Sequence, residues 1–313
     1  MAVSSLAFLG FLLIASCVYY VAPARFRWIV LLFASAVFYL SYDARMMAVV
    51  FLSAALTYVA GRSIEKISDV RLRRAAFAFS LIVNFAPLAA FKYLGLSFGF
   101  VPLGISFYTM QAASYIVDIY SEKYPPEHNF PKFLLYITFF PQVVQGPINR
   151  WDALGKQLFE EHKFDPENIR SGLQLITWGM LKKTLVADTL RIFVDNVFAG
   201  YSSLEGAVIF TAVALYCVQL YADFSGGIDV ARGAAKLFGI TMAQNFRQPY
   251  FATSIDDFWR RWHISLGEWM RDYVFYPLAL SRPFGKIGRW ARRVLGREIG
   301  KALPIALATI VTF

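Results

Sequence analysis

Residues 1–24 carry no charged side chain. A run of that length has to be covered by hydrocarbon or by other protein, and this limits the folds open to the chain. A cleaved leader is the competing explanation, because Ala22-Pro23-Ala24 loosely resembles a small-residue cleavage site. The run has no basic head, however, and it exceeds the usual leader core of about 7–15 residues; it reads as a first span. Further apolar runs occupy residues 28–42, 46–61, 75–91 and 206–222, the first of these short for a bilayer that needs about 20 residues. Composition agrees, with 58% hydrophobic and 17% charged residues against roughly 45–50% and 25% in soluble domains. The expected fold class is all-α: a polytopic membrane protein with transmembrane, re-entrant and interfacial helices.

The net charge of +10 is carried by short segments between the apolar runs. That is the pattern of cytoplasmic loops, and no nucleic-acid partner is expected. The loop 62–74 holds Arg62, Lys66, Arg71, Arg73 and Arg74 against Glu65 and Asp69. The positive-inside rule places it in the cytoplasm. Counting back through three spans puts the N-terminus outside and Arg25 and Arg27 inside. Asn84 and Pro87 in the fourth run suggest a local break or a polar contact, a simple kink being the favoured reading. Residues 93–117, interrupted by Pro102-Leu103-Gly104, and residues 133–148, broken by Pro141, Gly146 and Pro147, are poor straight spans. Irregular backbone at membrane depth needs a surround of protein or water. Cys17 and Cys217 each lie in an apolar run and read as small packing residues rather than a disulfide or metal pair. His128 reads as a solvated loop histidine, and His162, beside Glu160 and Glu161, as part of a charged, solvated helix face. Residues 282–301, with seven basic side chains and one acid, read as an interfacial segment facing anionic membrane lipid.

Polar groups concentrate in residues 219–276, and in an apolar chain such clusters point to function. Asp223, Ser225, Gly226, Gly227 and Asp229 predict a helix opening around two glycines, which allow a positive φ or a close backbone approach. The acids are too few in series for a calcium site, and no metal is expected. Ser254, three residues before Asp257, predicts a capped helix start. From there Ile255, Phe258, Trp262, Leu266, Trp269 and Tyr273 recur at helical spacing, so one continuous amphipathic helix is expected. Asp257 and Arg261, four apart, are expected to pair. His263 sits at the border of the apolar stripe, where a hydrogen-bonded packing role competes with a chemical one.

The strings DFSGGIDVARGAAKLFGI, NFRQPYFATSIDDFWRRWHISL and WMRDYVFYPL, with PLGISFYTMQAASYIVDIY and FFPQVVQGPI upstream, resemble the membrane-bound O-acyltransferase (MBOAT) family. The likeness is to its bacterial branch of alginate O-acetylation and teichoic acid D-alanylation proteins. It covers residues 102–276, and implies one membrane domain, residues 1–313. That domain divides into N-terminal spans (1–101), a motif-bearing core (102–276) and a basic loop with the start of an incomplete span (277–313), around a central funnel. It also implies acyl transfer from a cytoplasmic thioester such as acetyl-CoA, with no permanently bound cofactor, in a multi-pass protein of the bacterial inner (plasma) membrane. His263 matches one of two family active-site histidines. Arg260, Arg261 or Asn245 would orient the acyl carbonyl or the histidine, Trp259 and Trp262 would exclude water, and Asp223 and Ser225 would line the funnel. An extracytoplasmic SGNH-type acetyltransferase is the implied partner. The second histidine, in a Trp-His-Gly context, has no counterpart after His263, and the apolar run 302–313 is too short for a span; a longer reading frame is the expectation. Two rival readings remain: a proton-coupled transporter using Asp223, Asp229 and His263, and a non-catalytic membrane scaffold.

Overall fold

The computed structural model describes residues 5–94, 99–143 and 145–312. Parts of four expectations (the opening run, residues 93–117, residues 133–148 and the terminal run) fall on residues outside that set. Among the described residues the fold is helical, with one isolated bridge between Phe246 and Trp262. The chain divides into two compact units, Met1–Ala243 and Gln244–Phe313.

The first unit begins with α1 (Leu6–Val21), α2 (Arg27–Leu40), α3 (Ala44–Lys66) and α4 (Val70–Lys92). Side chains of Ser5, Asp43 and Asp69 cap α1, α3 and α4 by accepting first-turn amides, so these helices start where the sequence offers an oxygen. Helix α4 continues through Pro87. Asn84 makes the polar contact, one of its two readings: Thr57 Oγ1 of α3 lies 2.8 Å from its Oδ1. Helix α5 (Ile105–Tyr120) starts at Gly104, whose φ of 71° only glycine holds without strain. Short helices α6 (Phe130–Thr138), α7 (Phe140–Val143) and α8 (Lys156–Phe159) follow, divided before Pro141 as the prolines require. Phe140 of α7 closes an aromatic core with Phe11, Phe38 and Phe238 at centroid distances of 5.1, 5.9 and 5.9 Å.

Helix α9 (Pro166–Leu181) passes through one π-helical turn, Lys182–Ala187, into α10 (Asp188–Ala199). It packs along α11 (Gly206–Lys236). The opening expected at Gly226 and Gly227 does not occur, and α11 runs unbroken for 31 residues. The glycines serve close approach instead. A Cβ on Gly179 would lie 2.5 Å from the Gly226 carbonyl oxygen, and one on Gly233 would lie 2.6 Å from that of Gly172. The two contacts are seven residues apart on each helix, so the backbones touch along a common seam. By length and composition α3, α4 and α11 could each cross a membrane, and their exposed Leu56, Phe79, Ile82 and Phe210 suit lipid.

Two further expectations are corrected. Cys17 and Cys217 are exposed, because they fall on the outward faces of α1 and α11 and not at the seams. His162 lies outside any helix and is half-buried. Its Nε2 is 2.6 Å from the Gln157 carbonyl oxygen, its ring covers Gly239, and Arg27 donates to its backbone oxygen; it ties down a loop rather than facing solvent. His128 is exposed, with Nε2 3.7 Å from Glu65.

The second unit contains α12 (Ile255–Arg261), α13 (Ile264–Met270), α14 (Tyr276–Ala279), α15 (Arg282–Val294) and α16 (Arg297–Thr312). A π-helical turn, Arg271–Phe275, joins α13 to α14. Helices α15 and α16 form a hairpin.

Candidate active site

The second unit builds its site around a helix break that periodicity did not reveal. Ser254 Oγ accepts the Asp257 amide at 3.1 Å, and Arg261 Nε reaches Asp257 Oδ1 at 2.8 Å, so α12 starts and closes on its expected local pairs. The Arg261 guanidinium also holds the Asp257 carboxyl below the usual carboxylate range. The expected continuous helix then ends. Trp262 is extended, and His263 sits at φ 46°, ψ 52°. The cause is distant in sequence. Residues 245–247 run antiparallel to residues 261–264, with Arg247 N donating to Arg261 O and Ile264 N to Asn245 O, both at 3.0 Å. These bonds take the groups that a continuing helix would have used.

A left-handed backbone is uncommon for a residue with a Cβ, and such conformations cluster at functional positions. Here its surroundings enforce it. Asn245 is fully buried. Its Oδ1 accepts the Ser265 amide at 3.0 Å, and its Nδ2 lies 3.4 Å from His263 Nδ1. One side chain therefore fixes both the ring and the start of α13. The His263 carbonyl caps the same helix by accepting the amides of Leu266 and Gly267 at 3.0 and 3.1 Å. Trp262 packs edge-on against Phe246 at 5.0 Å and stacks on Phe258 at 5.6 Å. Burial pushes the imidazole down to about 4, so the ring is neutral at physiological pH and able to take or share a proton. Arg260 pairs with Asp256 at 2.6 Å on an exposed face, and Trp259 is 52% exposed.

Asp223 and Ser225 belong to the first unit, on α11. Lys183 Nζ lies 2.7 Å from Asp223 and 2.9 Å from Asp188. Lys182 Nζ lies 2.9 Å from Ser225 Oγ and 2.6 Å from Asp229. Both acids that a proton relay would use are thus matched by lysines. The two strings FFPQVVQGPI and DFSGG come together here: the Gln145 side chain fills the place of a Cβ on Gly227. Asn149 donates to Gln142 Oε1 at 3.1 Å and accepts the Ala243 amide at 3.3 Å. Sequence reasoning passed over Gln145, Asn149 and Lys182. A lysine next to an apolar helix that carries unmatched acids was the signal available.

The model of the membrane-bound O-acyltransferase family, MBOAT, matches residues 125–292, a stretch holding the Gln145–Gly227 contact and the whole Asn245–His263 clamp. The chain belongs to the MBOAT family. It is 34% identical over 285 residues to the probable alginate O-acetylase AlgI of Pseudomonas aeruginosa, covering 84% of this chain and 54% of that one. It is 29% identical over 296 residues to the peptidoglycan O-acetyltransferase of Helicobacter pylori, covering 82% and 56%. The teichoic acid D-alanyltransferase of Bacillus subtilis is 30% identical over 179 residues, covering 55% and 44%. This MBOAT chain spans little more than half the length of the first two relatives.

Proposed function

We propose that the protein is the membrane component of an O-acyltransferase system. It would move an acyl group, acetyl in the first instance, from a cytoplasmic thioester such as acetyl-CoA towards an extracytoplasmic polysaccharide or cell-wall polymer. It would do so as a multi-pass protein of the bacterial inner membrane, through a funnel that Asp223 and Ser225 help to line. An extracytoplasmic SGNH-type acetyltransferase is the partner that fits this role. The observation that carries the reading is the buried Asn245 holding a neutral, left-handed His263 within the WRRWH string.

The chemistry follows from that arrangement. The acceptor hydroxyl oxygen attacks the thioester carbonyl, a C–O bond forms, the C–S bond breaks, and the hydroxyl proton ends on the departing thiolate. His263 is assigned to that proton transfer, a general acid–base role that contributes about 10²–10⁴ in rate. Trp259 and Trp262 would keep water from the thioester. Arg261, already committed to Asp257, would hold the α12 end that carries the histidine.

The test is transfer from labelled acetyl-CoA in membranes carrying the protein, with and without a polysaccharide acceptor. His263→Ala and His263→Gln are each expected to insert normally and to lose transfer by the factor above. Near-normal transfer by His263→Gln would make the histidine a packing residue and withdraw the assignment.

A further inference from the structure

Helix α15 carries Arg282, Lys286, Arg289 and Arg293, all exposed. At 100° per residue these four fall within an arc of about 60°, along about 16 Å of helix. No acid occurs between Asp272 and Glu298, and among the described residues none of the four makes an ion pair. The opposite side is taken. A Cβ on Gly288 would lie 3.0 Å from Pro304 and 3.2 Å from the Gly300 carbonyl oxygen, and Ala291 is fully buried. Helix α16 therefore occupies the small-residue side, and the charged stripe faces away from it. Next around the helix come Trp290 and Val294, 56% and 62% exposed.

We propose that this face of α15 docks on anionic phospholipid headgroups. The stripe is straight, convex and without a cradle, so it matches a plane of phosphates rather than an enclosed soluble anion. Beside it, Trp290 supplies an amphipathic ring and Val294 an apolar edge, the pair that a headgroup–acyl boundary accommodates. A membrane surface covers both at once; a nucleotide or a nucleic acid would leave Trp290 and Val294 in water. The positive charges also mark this surface as cytoplasmic, where anionic lipid attracts basic segments. The inference concerns lipid contact alone and holds whether or not His263 performs chemistry.

The experiment uses the full chain purified in a non-ionic detergent and titrated with a fluorescent phosphatidylglycerol, with phosphatidylcholine as reference. Phosphatidylglycerol is expected to bind more tightly, with a preference that falls as salt rises. Each charge removed is expected to cost about fivefold, so R282Q/K286Q/R289Q/R293Q loses well over tenfold while R282K/R289K/R293K keeps the preference. The pairwise variants R282Q/K286Q and R289Q/R293Q read the same loss in smaller steps, with helicity checked by circular dichroism. Equal binding of the two lipids, or wild-type affinity in the glutamine variants, overturns the proposal. So does displacement of phosphatidylglycerol by equimolar inorganic pyrophosphate, which would assign the stripe to a soluble polyphosphate.

Discussion

At the residue scale, Asn245 and His263 act as one object. The asparagine touches the ring and the backbone amide two residues beyond it, and its own carbonyl accepts the amide between them. Asn245→Ala removes both side-chain contacts from a fully buried position, leaving the Ser265 amide without its acceptor; a loss of about 1–3 kcal/mol is expected. Asn245→Asp keeps the acceptor for Ser265 and places a carboxylate against Nδ1, which favours the protonated ring. The His263 titration midpoint, followed by NMR of ring-labelled protein, is expected to rise from about 4, whereas a purely structural asparagine would leave it in place. The same midpoint sets a pH dependence. An unfolded imidazole takes its proton near 6.5 and the folded one near 4, so the unfolded state gains protons first as pH falls. Stability is unaffected above about 6.5 and declines between there and about 4. His263→Gln is expected to remove that part of the acid slope in denaturation followed between pH 7.5 and pH 4.5, and an unchanged slope would count against a buried neutral ring. Local pairs such as Ser254 with Asp257 and Asp257 with Arg261 were legible, because both partners sit within one helical turn. The left-handed turn at His263 was not, since it is imposed by a residue eighteen positions earlier.

At the element scale, the seam between α9 and α11 decides how the membrane-length helix is held. Gly172 and Gly179 face Gly233 and Gly226 with backbone in contact, and just beyond them Lys182 reaches across to Ser225 and Asp229. Adding a side chain at Gly179 or Gly226 has no space to fill, and overpacking costs about 1–3 kcal/mol. Gly226→Leu is expected to lower the unfolding temperature in detergent more than Gly206→Leu, because a Cβ on Gly206 meets open space. Removing Lys182 leaves the half-buried Asp229 with Arg232 alone, at 3.4 Å, and removing Asp229 leaves the Lys182 ammonium on the neutral Ser225 Oγ. Lys182→Met and Asp229→Leu singly should each destabilise by a few kcal/mol, roughly, and the double variant should recover part of the loss. A strictly additive double variant would show that the pair does not couple. The glycines announced a special backbone in the sequence, but not which kind. A helix opening and a close helix contact use the same residue, and only the partner glycine seven residues along α9 separates them.

At the scale of the whole molecule, what was legible was the class: apolar runs, basic loops and family strings all point to a helical membrane protein, and the family match agrees. The grouping of the chain into units was not, because it depends on which helices touch, and hydropathy carries no such information. Orientation remains a matter of charge. Residues 62–74 hold five basic side chains against two acids, and they lie where α3 ends and α4 begins, so both helices, if they span, would enter the membrane from the side that this loop occupies. An excess of lysine and arginine in so short a loop is the pattern of a cytoplasmic segment, and the orientation proposed from it can be tested. Ser68 lies in the turn and is exposed, as is Ser63 in the last helical turn of α3, so a cysteine at either position reports accessibility without disturbing packing. With native Cys17 and Cys217 replaced by serine, Ser63→Cys and Ser68→Cys are expected to resist a membrane-impermeant maleimide in intact cells and to react once the membrane is permeabilised. Labelling before permeabilisation would invert the orientation. The donor would then have to be supplied from the opposite face, and the proposed direction of acyl transfer would fail with it.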